Sequence, residues 1–146
     1  VLLTAPTHAA VSGERPFVFE KCGTLDVRVI HLPPSLRSFD FQGAVAKRLR
    51  DAGVLAETEG DLTMGLRVIE LPSSGETSAY MVDINVFHRT DDHEYGRGRV
   101  ILWGSLGVDQ YRGGNPGRGL IELAEELTDS FVKDYRADGC GRSGWW

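Results

Sequence analysis

Apolar and polar residues alternate over residues 24–32. Leu25, Val27 and Val29 fall on one side and Asp26 and Arg28 on the other, the period of a half-buried strand. Pro33 and Pro34 end it. From 39 to 52 the apolar residues fall instead at Phe41, Val45, Leu49 and Ala52. This spacing predicts an amphipathic helix with Ser38 or Asp40 as N-cap and Gly53 as its stop. Alternation returns over 61–71 through Leu62, Met64, Leu66 and Val68; the apolar set then shifts to Ile69 and Leu71, which predicts a bulge or a late twist. Ser73, Ser74, Gly75 and Glu76 read as a turn. Residues 78–90 read as the returning strand of a hairpin, with Tyr80, Val82, Ile84 and Val86 inward and Asp83 and Asn85 outward. Residues 91–96 turn the chain again, and 97–107 supply a third antiparallel strand centred on Val100, Ile101, Leu102 and Trp103. Residues 112–117 are a loop by their glycine content, with Tyr111 assigned to it. The strongest pattern comes last. Leu120, Leu123, Ala124, Leu127, Phe131 and Tyr135 recur at helical spacing, with acidic residues gathered toward the favourable end of the helix dipole.

The order is therefore strand, helix, three strands, helix. An α+β two-layer sandwich, β-α-β-β-β-α, accommodates it: a right-handed crossover makes the first two strands parallel, and both helices cover one face of a four-stranded mixed sheet. At 146 residues and 41% hydrophobic content, one core is expected. The domain spans residues 24–140, preceded by residues 1–23 as a signal-peptide remnant or extended arm and followed by residues 141–146 as an aromatic tail.

A net charge of −5 with scattered Lys and Arg argues against a nucleic-acid footprint and against anionic membrane surfaces. No run reaches the ~18 to 20 apolar residues a bilayer span needs, so a soluble mature chain is expected. Residues 1–10 read as the tail of a secretory signal: an apolar start, the helix-breaking Pro6, then Thr7 and Ala9 at the small-residue positions before Ala10. The other reading is an arm whose Val1, Leu2 and Leu3 lie on a neighbour. Cys22 and Cys140 sit at opposite ends of the patterned region. In an oxidising compartment the pair would staple the termini; in a reducing one they are two separate thiols. Neither belongs to the CxxC pair that redox or zinc chemistry favours.

Potential metal ligands cluster once, at residues 87–94, where His88, Asp91, His93 and Glu94 surround the second turn. Charged, turn-prone residues are equally what an exposed hairpin tip needs. Gly113, Gly114, Gly117 and Gly119 lead into the last helix without the Lys and Ser/Thr of a phosphate-binding loop. Gly-x-Ser-x-Gly is absent, no nucleophile is assembled with a base, and His31 reads as a rim residue. No catalytic residue and no cofactor are expected.

Aromatics give the better clue. Trp103, Tyr111 and the terminal pair Trp145 and Trp146 are large side chains of the kind that anchor protein interfaces. Trp103 is equally placed to complete the core. The helix-free face of the sheet would carry Arg67, Ile69, Met81, Asp83, Asn85 and Phe87, a mixed surface suited to a partner. The expected binding residues are thus Trp103, Tyr111, Trp145, Trp146, Arg67, Met81 and Phe87.

The strand-helix-strand opening through residues 24–71, the Ala52-Gly53-Val54 helix exit and the closing helix through residues 127–135 resemble a class of small exported bacterial envelope domains. The layout is similar to the periplasmic N-terminal domain of the Tol system, penicillin-binding-protein activating lipoproteins and the curli-export family. The likeness covers about residues 24–136 by order of elements, and no functional residue of those families carries over. It implies a periplasmic, non-enzymatic accessory or assembly subunit that binds another envelope protein through its sheet face, a sheet edge or its aromatic C-terminus. The alternative is a metal- or ligand-binding protein using residues 88–94.

Overall fold

The alternating and helical segments become the expected elements in a computed structural model, which describes residues 2–3, 22–90 and 98–140, with side chains from 22 to 88 and from 101 to 140. In chain order these are β1 (Leu2–Leu3), β2 (Leu25–His31), α1 (Ser38–Asp51), β3 (Leu62–Leu71), β4 (Thr77–Thr90), β5 (Gly98–Arg112) and α2 (Gly117–Ala137). The sheet order is β1-β5-β4-β3-β2, with β2 parallel to β3 and every other pair antiparallel. The β-α-β-β-β-α order and the four-stranded mixed sheet are as the periodicity predicts. A two-residue strand is added outside them, where Leu2 and Leu3 pair with Asp109 and Val108.

Both helices cover one face. Leu25, Met64, Leu66, Val68, Val82, Ile84 and Val86 from the sheet meet Phe41, Val45 and Leu49 of α1 and Leu120, Leu127, Phe131 and Tyr135 of α2, all at most 2% exposed. Each such burial contributes roughly 1.5–3 kcal/mol from apolar area alone. The apolar stripes read from the sequence are thus the buried stripes of both helices.

Several local expectations are corrected. The N-cap of α1 is Arg37, in an extended conformation, and no side chain caps the helix. Gly53 does follow its end, at φ +77°, the left-handed conformation that a residue without Cβ adopts most easily. The register between β3 and β4 runs unbroken from Thr63 to Leu71, so Ile69 and Leu71 lie on the opposite face without a bulge. The irregularities fall elsewhere, between Val29 and His31 of β2 and between Val86 and Phe87 of β4. Because α2 begins at Gly117, its first turn holds no acidic residue. Tyr111 belongs to β5, paired with Ser78, rather than to the loop.

The largest correction concerns Trp103. It is 1% exposed and completes the core instead of anchoring an interface. Its ring meets Phe131 edge-on at 5.4 Å, Phe131 stacks on Tyr135 at 5.0 Å, and the indole N–H donates to Asp134 Oδ2 at 2.9 Å. That bond is what lets an indole be buried without losing its donor.

The two ends of the domain are fastened together. Cys22 and Cys140 form a disulfide across 118 residues, with Cα atoms 5.3 Å apart. Beside it the Tyr135 hydroxyl accepts from the Gly23 N–H at 2.6 Å and donates to the Gly23 carbonyl at 2.7 Å. Burial pushes the Tyr135 phenol above its ordinary value, while the Gly23 bond opposes that rise.

Candidate functional site

In β2 the backbone groups of alternate residues point away from β3, toward the outside of the sheet. At Leu25 these are taken up by the following loop: its N–H donates to the Val54 carbonyl at 2.8 Å, and its carbonyl accepts from the Ala56 N–H at 2.8 Å. At Val27 the carbonyl accepts from Gln42 Nε2 at 3.2 Å, so α1 closes the next position. Beyond it, no strand among the described residues pairs with the outer side of Val29, the next outward position, or with the end of β2 after it. The register shift at Ile30 and the two prolines that follow keep this open stretch short, the way exposed edges are ordinarily protected.

The helix beside this edge supplies apolar surface. Gln42 faces β2, and Phe39 stands three residues earlier on the same flank of α1. Phe39 lies toward the start of α1 from Gln42, the residue bonded to Val27. It is 79% exposed. Gly43, one turn after it, has nothing within 4 Å of where a Cβ would stand. On the other face of the sheet Ile30 is 39% exposed, and its Cδ1 lies over Gly65 beside Phe87. Arg28 reaches Asp26 at 3.7 Å, with the guanidinium side chain 42% exposed and the carboxylate side chain 15% exposed. One Asp26 oxygen is buried without a hydrogen-bond partner.

The residues expected to bind are dispersed. Arg67 and Met81 do lie on the helix-free face, both half-buried. Arg67 is held there: it donates through Nε and Nη2 to Asp83 Oδ2, which Asn85 Nδ2 also approaches. Phe87 is 2% exposed and offers no accessible ring. Tyr111 donates to Asp109 Oδ2 at 2.7 Å and packs edge-on against Tyr80 at 6.1 Å. Burial first, and then the Asp109 hydrogen bond, raise its phenol above the ordinary value. Trp145 and Trp146 lie outside the described residues, as do Asp91, His93 and Glu94 of the candidate metal cluster. His88 is half-buried on β4. Among the described residues no group of three or more His, Cys, Asp or Glu stands ready for a metal, and no helix is long and apolar enough to cross a membrane.

An open groove of about 490 Å³ lies between the helices, lined by Arg48, Asp51, Asp129, Lys133 and Arg136 among others. Its charges answer one another. Arg48 bonds Glu125 at 3.0 Å and Asp129 at 3.1 Å, which together raise its pKa, and Arg136 donates to the Ala52 carbonyl at 3.4 Å. These bonds join α1 to α2 across the groove.

Sequence reasoning missed Ile30 and Phe39. The signal for Phe39 was present: it falls off the Phe41–Val45–Leu49 stripe, which marks it as facing away from the core. Fold and surface together define a two-layer α+β domain, covalently closed near its ends, with a short sheet edge that no strand among the described residues pairs and an exposed phenylalanine on the adjoining helix. No protein-family model and no curated protein sequence matches this chain. Nine chains among the solved structures are similar in part. One is a minor lipoprotein from Acinetobacter baumannii, at 12% identity and TM-score 0.40 over 79% of this chain and 91% of that one. Another is a chain from Caulobacter crescentus described as a lipoprotein, at 9% identity and TM-score 0.37 over 75% of this chain and 85% of that one. Likeness at this level bears on neither binding nor activity.

Proposed function

We propose that this domain is an exported, non-enzymatic accessory subunit of a bacterial cell envelope, which docks on another envelope protein by taking a segment of that partner onto the open half of β2. The observation that carries the reading is that no strand among the described residues pairs with the outer side of β2 beyond Val27, while the helix that closes Val27 carries the exposed Phe39. The Cys22–Cys140 bridge supports export, because disulfides persist in oxidising compartments such as the periplasm.

Magnitudes explain why both parts of the surface are needed. A backbone hydrogen bond adds only about 0.5–1.5 kcal/mol net, and so short an edge supplies few of them. Burying an exposed phenylalanine adds roughly 1.5–3 kcal/mol more. Strand addition gives direction and register, and the aromatic anchor gives affinity.

The test is affinity isolation from native envelopes of the wild-type chain and of Val29→Pro, which removes an outward N–H without breaking the bonds to β3. A partner in stoichiometric amount with the wild type, and absent with the variant, is the expected result. Equal recovery of that partner by both, with the variant's disulfide and circular dichroism unchanged, rules out the edge.

A further inference from the structure

The chemistry of the partner segment follows from which side chains flank the edge. A strand added beside Val29 places alternate side chains on opposite faces of the sheet. One set enters the helix layer, where it meets the Phe39 ring and the space left by Gly43. The other set lies on the helix-free face beside Arg28 and Ile30, with Arg67 on the next strand. On that face the acids lie beneath the bases. The Asp26 and Asp83 side chains are 15% and 10% exposed, while the guanidinium side chains of Arg28 and Arg67 paired with them are 42% and 44% exposed. Arg67, on β3, is turned to Asp83 on β4, so what a strand outside β2 meets is the Arg28 guanidinium, although the whole chain carries −5. Arg37, exposed at the entry to α1, and His31, exposed at the end of β2, add donors at the same end.

Resting on the docking reading above, we infer that the partner contributes an extended segment of alternating apolar and acidic residues, its apolar side chains against Phe39 and Gly43 and its carboxylates against Arg28. Charge-assisted bonds to carboxylate suit the planar guanidinium, which offers paired donors. The acidic set fixes which way the segment faces, since a one-residue slip would bury carboxylates beside Phe39.

The experiment uses the disulfide-bonded full chain, ¹⁵N-labelled, titrated with two capped heptapeptides: alternating Glu and Val, and the same peptide with Lys in place of Glu. Overall charge alone favours the Lys peptide, so a preference for the Glu peptide reports the local surface. The Glu peptide is expected to bind about tenfold more tightly, shifting the amides of Val29, Ile30 and His31. Arg28→Gln is expected to cut that preference to about threefold, and Phe39→Ser to weaken both peptides alike. Equal binding, or tighter binding of the Lys peptide, at the same three amides overturns the acidic assignment and leaves edge docking standing. Failure of both peptides to shift those amides overturns the docking reading and this inference with it.

Discussion

Tyr135 shows how much one side chain settles. Its ring was legible as a core position from helical spacing alone, but its hydroxyl, bonded to both backbone groups of Gly23, fixes the start of β2 against the end of α2. Replacing it by Phe keeps the ring and leaves two buried backbone groups without a partner, so Tyr135→Phe is expected to cost about 1–3 kcal/mol in denaturant unfolding. A change below about 0.5 kcal/mol would show that these bonds add nothing beyond packing. The phenol's raised pKa also sets a pH dependence. The folded state holds the proton more tightly than the unfolded state, whose tyrosine titrates near 10. The contribution is thus fully present below about pH 10 and is lost as pH rises above it. Melting temperatures of the wild type should fall on the alkaline side of that point, and less steeply in Tyr135→Phe. Tyr111 shifts in the same direction and adds to the fall.

Elements follow their patterns where burial enforces them and depart from them at their ends. The two helical stripes were read correctly because a helix that buries one face must repeat its apolar residues near every 3.6 positions. The N-cap of α1 was not, because Arg37 makes no side-chain cap bond and only backbone geometry marks the start; at α2 the first N–H, that of Gly117, donates to Asn115 Oδ1 at 2.9 Å, in a stretch that reads only as a glycine-rich loop. Two helical glycines test the environment rather than the propensity. Gly43 has open space around a virtual Cβ, so Gly43→Ala should stabilise the fold by about 0.5–1 kcal/mol, the ordinary helix preference. At Gly119 a Cβ would stand 2.4 Å from the Tyr111 hydroxyl and 2.8 Å from its ring. Gly119→Ala must therefore push Tyr111 off Asp109, and it is expected to destabilise by about 1–3 kcal/mol despite the same intrinsic preference. Thermal melts of the two variants decide the matter; the same sign of change in both would refute the contact argument.

On the scale of the whole molecule, a single covalent bond joins the ends of the described domain. Closing 118 residues constrains the unfolded chain, and in the chain-entropy model this stabilises by about 4–5 kcal/mol. Reduction, or Cys22→Ser with Cys140→Ser, should lower the denaturant midpoint accordingly without changing the strand order. A loss below about 1 kcal/mol would mean that the unfolded chain is already compact enough to need no staple. The amino-acid sequence by itself determined the element order, the buried stripes and the four-stranded sheet, because a period of 2 or 3.6 is a local consequence of hiding one face from water. It also put the two cysteines outside the patterned elements, where a bridge is geometrically natural. Tertiary structure alone decided whether they meet, whether Trp103 faces a partner or the core, and whether Phe87 is accessible, since each depends on residues distant in the chain packing across the sheet. It alone also showed that the edge of β2 is closed at Leu25 and Val27 and that no strand among the described residues pairs with it beyond them. Pairing of backbone groups leaves no mark on side-chain periodicity, so an open edge is invisible until the neighbouring strands are in place.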